Sequence, residues 1–178
     1  MNSQDLRQFC STDENRFNIQ APFTRGPFTY ATNGHILVRV PRLDDVPQIE
    51  GAPHAEVIFD KAAPQEVGPT PVLSLPPYET EECDSIHDCP NCNCSCEECG
   101  DTREIEVKTS CTVNGALFDA KNMRQLAQLP GFKFAIEPPP KQGTRFEFDG
   151  GEGYLMPLVR QYAKHVAADG TVTVRDED

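Results

Sequence analysis

Tryptophan is absent, methionine occurs three times, histidine four times, and 16 lysines and arginines face 28 aspartates and glutamates. The shortage of cations leaves a formal net charge of −12 at pH 7. That excludes a protein that coats nucleic acid with its whole surface, because such affinity rests on Lys and Arg neutralising phosphates. A local basic face remains compatible with it, since net charge says nothing about distribution. Long apolar runs are also missing: none approaches the roughly 20 residues needed to cross a bilayer, so no membrane partner is expected. Met1-Asn2-Ser3-Gln4-Asp5 has neither a basic start nor an apolar stretch, which argues against a secretory signal. The expected compartment is a reducing cytoplasm, where thiols bind metal more often than they form disulfides.

Catalytic signatures are equally scarce. There is no Gly-x-Ser-x-Gly, no Gly-x4-Gly-Lys and no His-Glu-x2-His. The histidines are scattered, and only His87, beside cysteines, has company suited to chemistry, as a metal ligand. A zinc hydrolase or deaminase would need an open coordination position and a nearby base. His87-Asp88-Cys89-Pro90 is only a superficial echo of the deaminase pattern. The chain is therefore read as non-catalytic.

What is present is proline, acid and clustered cysteine. Eight of the 16 prolines fall between Pro41 and Pro77, which predicts an irregular connection between ordered flanks. Within residues 79–106, ten acidic residues meet one arginine, and six of the eight cysteines lie between Cys83 and Cys99. Four stretches follow: 1–43, a proline-rich connection over 44–82, a cysteine-rich insertion over 83–101, and 102–178. The first should hold a short helix over 2–9, with Leu6 and Phe9 on one side. Strand-like segments follow at Phe17–Ile19, Pro27–Thr32 and His35–Val40, with Asn33-Gly34 as a hairpin turn. In the connection, one short strand is expected at Glu56–Phe59. The last stretch should hold a strand over Glu104–Asn114 and a helix capped by Asp119, burying Met123, Leu126 and Ala127. Strands are then expected at Phe132–Glu137, Thr144–Phe148 and Tyr154–Leu158, with Asp149 to Gly153 as a joint, and a last one near Thr171–Val174. Both ends thus read as a helix followed by three strands, an α+β arrangement with a weak internal repeat. Cys10 and Cys111, in apolar surroundings, are expected in the core.

Cys89-x2-Cys92-x-Cys94-x-Cys96-x2-Cys99 contains two C-x2-C knuckles, each presenting two thiolates from one tight turn. Zinc takes four such ligands in a tetrahedron, so Cys89, Cys92, Cys96 and Cys99 are the expected set and zinc the expected cofactor. Only three residues separate the knuckles, where zinc ribbons leave about 15–20. A compact loop, or a site drawing on Cys94, Cys83 or His87, therefore stays open beside readings as a metal-free loop or as disulfides. Cys96-Glu97-Glu98-Cys99-Gly100-Asp101 resembles one unit of the cysteine-rich zinc module of J-domain chaperones, a resemblance that implies metal and nothing about chaperone activity.

Thr32-Asn33-Gly34-His35-Ile36-Leu37 resembles the Thr-Asp-Gly-His-Arg-Leu segment of the bacterial replicative sliding clamp. Tyr154-Leu155-Met156-Pro157-Leu158-Val159-Arg160 resembles that family's C-terminal Val-Met-Pro-Met-Arg-Leu. A clamp domain consists of two β-α-β-β-β halves, so the resemblance implies a clamp-like α+β domain of two helix-plus-strand halves carrying a cysteine-rich zinc insertion. It also implies a peptide-binding pocket formed by Thr32, Gly34, His35, Leu37, Met156, Pro157 and Leu158. The partner would be a protein or peptide, in an accessory role to DNA replication or regulation in a phage or mobile element. DNA itself enters only if several copies assemble into a homo-oligomeric ring, because one domain cannot encircle a duplex. Its helices would then carry Arg7, Lys121 and Arg124. Ile36 and Asn33 depart from the family's Arg and Asp, and the chain has the length of roughly one clamp domain. The competing reading is an acidic interaction protein or inhibitor that binds a basic host protein through the cysteine-rich arm.

Overall fold

The computed structural model describes residues 1–13, 15–69, 75, 80–82, 104–139, 142–159, 164–167, 169 and 171–174. Helix α1 (Ser3–Leu6) opens the chain under a capping box: Asn2 Oδ1 accepts from the Asp5 backbone N–H at 2.9 Å, and Asp5 Oδ2 accepts from that of Asn2. These bonds satisfy amides that a helix start leaves unpaired. A 3-10 turn over Arg7–Phe9 continues it, and Leu6 and Phe9 are fully buried, as their spacing predicts. Phe17–Ile19, expected as a strand, forms a second 3-10 turn.

Strands β1 (Phe23–Arg25), β2 (Phe28–Thr32) and β3 (Ile36–Pro41) form a meander. The connection then holds α2 (Glu56–Lys61), where a strand is expected, and β4 (Val67–Pro69). Next come β5 (Thr80–Glu82) and β6 (Glu104–Glu106), which precede and follow the cysteine-rich segment in the chain and pair in a register that sets Glu82 opposite Glu104. Strands β7 (Thr109–Val113) and β8 (Ala116–Asp119) lead into α3 (Ala120–Ala127), followed by β9 (Lys133–Ala135), β10 (Thr144–Phe148), β11 (Gly151–Leu155), β12 (Lys164–Val166) and β13 (Val172–Val174). The helices are few and short, so the molecule is mostly β. One antiparallel sheet of seven strands runs β1-β2-β3-β11-β10-β9-β4, and a mixed sheet of four runs β13-β12-β7-β8. The strands that follow the Tyr154–Arg160 segment belong to this second sheet, since β12 pairs in parallel with β7 and antiparallel with β13.

Asp119 caps α3 as expected, accepting from the Lys121 and Asn122 amides at 2.8 and 3.2 Å. Met123 and Leu126 are buried, but Ala127 is exposed and Leu129 takes the next core position. The β7–β8 hairpin turns on Asn114-Gly115, both at positive φ (48° and 82°), the conformation that makes Asn-Gly the favoured two-residue turn. The other Asn-Gly is used differently. Thr32 pairs with Leu37, the tight turn falls on Gly34-His35, and Gly34 alone takes positive φ (93°). Asn33 contributes its side chain instead, Oδ1 accepting from the His35 and Ile36 amides at 2.9 and 2.8 Å.

Period-two alternation gives the large sheet two faces. Ile36, Val38, Val40, Phe146, Phe148 and Leu155 point inward. They pack with Leu6, Phe9, Met123 and Leu126 and with Cys111, Val113 and Phe118 of the second sheet. Cys10 and Cys111 lie in this core, and burial pushes their thiols up to about 11 and about 12. Gly151 and Gly153 belong to β11 and not to a joint; the loop is Asp149-Gly150 alone. A Cβ on Gly151 or Gly153 would collide with the rings of Phe148 or Phe146. Glycine therefore makes room there for aromatic rings to cross the strand.

Candidate functional site

The outer face of the large sheet carries Leu37, Arg39, Glu152, Tyr154, Arg145 and Glu147. The proline-rich connection crosses part of it, and this stretch does more than link. Ala52, Ala55, Ile49 and Phe59 form a second apolar cluster with Phe23, Tyr30, Phe28 and Leu37. The Phe59 ring lies 6.1 Å from that of Tyr30 and 5.1 Å from that of Tyr154. The Arg39 guanidinium stands over Phe59 at 3.7 Å and over Phe28 at 4.5 Å. Arg39 and Arg145 each grip one oxygen of Glu152, with closest contacts of 2.6 and 2.9 Å. Burial opposes ionisation of Glu152, but these guanidiniums outweigh it and hold the carboxyl below the usual carboxylate range.

A groove of about 460 Å³ opens where this strap meets the sheet. Thr32, Gly34, His35, Ile36 and Leu37 form one side, Pro53, His54, Ala55 and Ile58 of the strap the other, and Gly143, Tyr154 and Met156 complete it. Its sheet side is rigid by construction. Ile36 pairs with Leu155 and Leu37 with Tyr154, and the His35 carbonyl accepts from the Met156 amide at 2.8 Å. The Thr32 hydroxyl accepts from the Gly34 amide and donates to the Ile36 carbonyl at 3.0 and 2.7 Å, fixing the turn at the groove's lip. Arg16 covers that lip, its Nη1 donating to the Asn33 carbonyl at 3.2 Å, so that a Cβ on Gly34 would stand 2.7 Å from it. Leu37 and Tyr154 are buried in the base, whereas Met156 and Ile58 are 46% and 48% exposed at the edges.

The strap side is tied by Arg25 of β1. Its Nη1 meets Glu56 Oε1 at 3.1 Å and also contacts His54 Nδ1, and its Nη2 donates to the Ala52 carbonyl at 3.1 Å. At Glu56, burial opposes the charge. Hydrogen bonds from its own backbone, His54 and Arg25 prevail and lower its pKa.

Of the seven residues expected to form a peptide pocket, Thr32, Gly34, His35, Leu37 and Met156 line this one groove. Pro157 and Leu158 are half-buried and lead away, the Leu158 amide donating to the Leu117 carbonyl of β8 at 2.8 Å. Sequence reasoning missed the strap. The signal for it was Pro53-x-Ala55-Glu56, a proline and an acid where a helix starts, which outranks the strand-like Val57-Ile58-Phe59. Cys89, Cys92, Cys96 and Cys99, with Cys83, Cys94 and His87, lie outside the described residues. Among the described residues, no group of three or more His, Cys, Asp or Glu gathers as a metal would need, and no helix is long and apolar enough to cross a membrane. No family model, no curated protein and no solved structure matches the chain.

Proposed function

We propose that this protein is a non-catalytic, clamp-like binding module that recruits a partner peptide in the groove between β3, β11 and the α2 strap. One observation carries the reading. Two segments that resemble the peptide pocket of the sliding clamp are over a hundred residues apart, yet they are antiparallel neighbours and line one apolar groove. Element order adds support. The series β8-α3-β9-β10-β11 repeats the β-α-β-β-β of a clamp half, and α1-β1-β2-β3 repeats it short of the first strand. The Gln125 side chain donates to the Gln8 carbonyl at 2.7 Å, so the two helical segments lie side by side. Arg7, Lys121 and Arg124 sit on that pair, the surface that would face DNA in a ring of several copies.

The groove's chemistry suits a peptide anchor. Its volume falls within the range of ligand pockets. Burying one Leu- or Phe-sized side chain against Leu37, Tyr154, Ile58 and Met156 is worth about 1.5–3 kcal/mol, and a methionine edge adapts to different side chains. Zinc held by Cys89, Cys92, Cys96 and Cys99, and an accessory role in replication or regulation in a phage or mobile element, belong to the same proposal.

Selection from a random peptide library displayed on phage tests the groove. Selected peptides should bind the double variant His35→Ala/Met156→Ala at least about tenfold more weakly than the wild type. Peptides that bind both equally would remove the groove from the proposal and favour the acidic, cysteine-rich arm as the contact surface.

A further inference from the structure

We infer that the peptide received by this groove carries a carboxylate beside its apolar anchor, and that His54 selects for it. The inference rests on the peptide-groove reading above and names the partner's chemistry. In a chain with 28 acidic residues, no carboxylate among the described residues lines the groove; the ionisable groups that do are the imidazoles of His35 and His54 and the phenol of Tyr154.

His54 offers a donor whose identity its neighbours fix. Its Nδ1 faces Arg25 Nη1 and lies 3.1 Å from Glu56 Oε1. A guanidinium only donates. If the ring is neutral, Nδ1 must therefore present its lone pair to Arg25, and the proton sits on Nε2. If the ring is charged and donates to Glu56, Nε2 carries a proton as well. The one arrangement without an Nε2 proton would aim two donors at each other across the Arg25 contact. With the Nδ1 lone pair held by Arg25, or with the ring charged, Nε2–H is a donor on a side chain that is 75% exposed at the groove wall.

The surroundings favour a charged acceptor over a neutral one. Arg25 pairs at 3.1 Å with Glu56, the carboxylate beside His54, and so offsets its repulsion of an incoming anion. At the opposite lip stands the half-exposed Arg16, with Asp13 at 3.6 Å. A hydrogen bond to a carboxylate is roughly twice as strong as one to a neutral acceptor, whereas a lysine or arginine at this place would face the Arg25 guanidinium behind His54 and the Arg16 guanidinium at the lip. The preference runs against the whole chain's charge, which by itself would draw basic partners.

The test uses peptides selected on the wild-type protein, each compared by fluorescence polarisation with a version in which Asp or Glu becomes Asn or Gln. The amide version should bind the wild type about tenfold more weakly, the value of a charge-assisted hydrogen bond. On His54→Leu, an exposed substitution whose folding is checked by its melting temperature, the two versions should bind alike. The inference is overturned if the ratio survives His54→Leu, or if groove-dependent peptides are neutral or basic. If the selected peptides bind His35→Ala/Met156→Ala as well as wild type, the groove reading itself fails, and this inference with it.

Discussion

Gly153→Ala measures how closely β11 and β3 approach beneath the groove. A Cβ at residue 153 would stand 2.2 Å from the Leu37 carbonyl oxygen and 2.4 Å from Phe146 Cζ. The ring has some freedom, but the oxygen belongs to the backbone of a paired strand and no rotamer change moves it. Relief requires β11 to shift away from β3, across the register that joins Gly153 to Val38 and Tyr154 to Leu37. Overpacking of this kind costs typically 1–3 kcal/mol, and a backbone collision belongs at the upper end, so we expect about 3 kcal/mol. In a domain whose whole stability is on the order of 5–15 kcal/mol, that lowers the melting temperature by about 6–12 °C. Gly150→Ala is the internal control. It has positive φ (86°) but nothing within 4 Å of the added atom, so its cost is conformational, about 1 kcal/mol. Urea denaturation followed by far-UV circular dichroism reads both, with an unchanged slope indicating a pure stability effect. If Gly153→Ala proved no more destabilising than Gly150→Ala, the packing of Phe146 and the β3–β11 approach would be refuted together.

Three other outcomes follow from the same geometry. Glu152→Gln should cost about 1–2 kcal/mol at pH 7. Because the folded carboxyl lies below its ordinary value of 4.5, its contribution is present above that pH and fades as pH falls through the folded value. The variant's acid limb should accordingly be shallower, and identical limbs would contradict the Arg39–Glu152–Arg145 linkage. Cys10 and Cys111, with thiols pushed up to about 11 and about 12, should resist iodoacetamide at pH 8 until denaturant is added, as read by peptide mass mapping. Native mass spectrometry of protein purified under reducing conditions without added metal should find one zinc per chain and report the number of chains together; metal-free protein with free thiols would withdraw zinc.

Much of the second half was legible because its signals are local. Asp119 offers an acceptor to the amides behind it, and Thr144–Phe148 alternates cleanly, so cap and strand fall where composition puts them. Failures occur where a distant partner decides. Val57-Ile58-Phe59 favours a strand by propensity, yet among the described residues no strand pairs with it, and Phe59 gains more by resting on Tyr30, Arg39 and Tyr154. Gly151-Glu152-Gly153 reads as a turn until Phe146 and Phe148 are known to cross it. The groove was half legible. Its sheet side lies in two recognisable segments, whereas His54, Ala55 and Ile58 acquire meaning only once Arg25 ties them in place.

The pairing of β3 with β11 also has a kinetic consequence. Arg39 and Glu152 are 113 residues apart in the chain, so the groove's sheet side closes one of the longest loops in the molecule. Contacts of such separation form late and slowly, because the entropy of loop closure precedes any return from packing. A nascent chain on the ribosome has β3 long before Gly151–Leu155 emerges, and until then Leu37 and Ile36 lack their neighbours. On the proposed function, recruitment would be confined to chains that have been synthesised through β11 and have folded, and truncated products would not compete for the peptide.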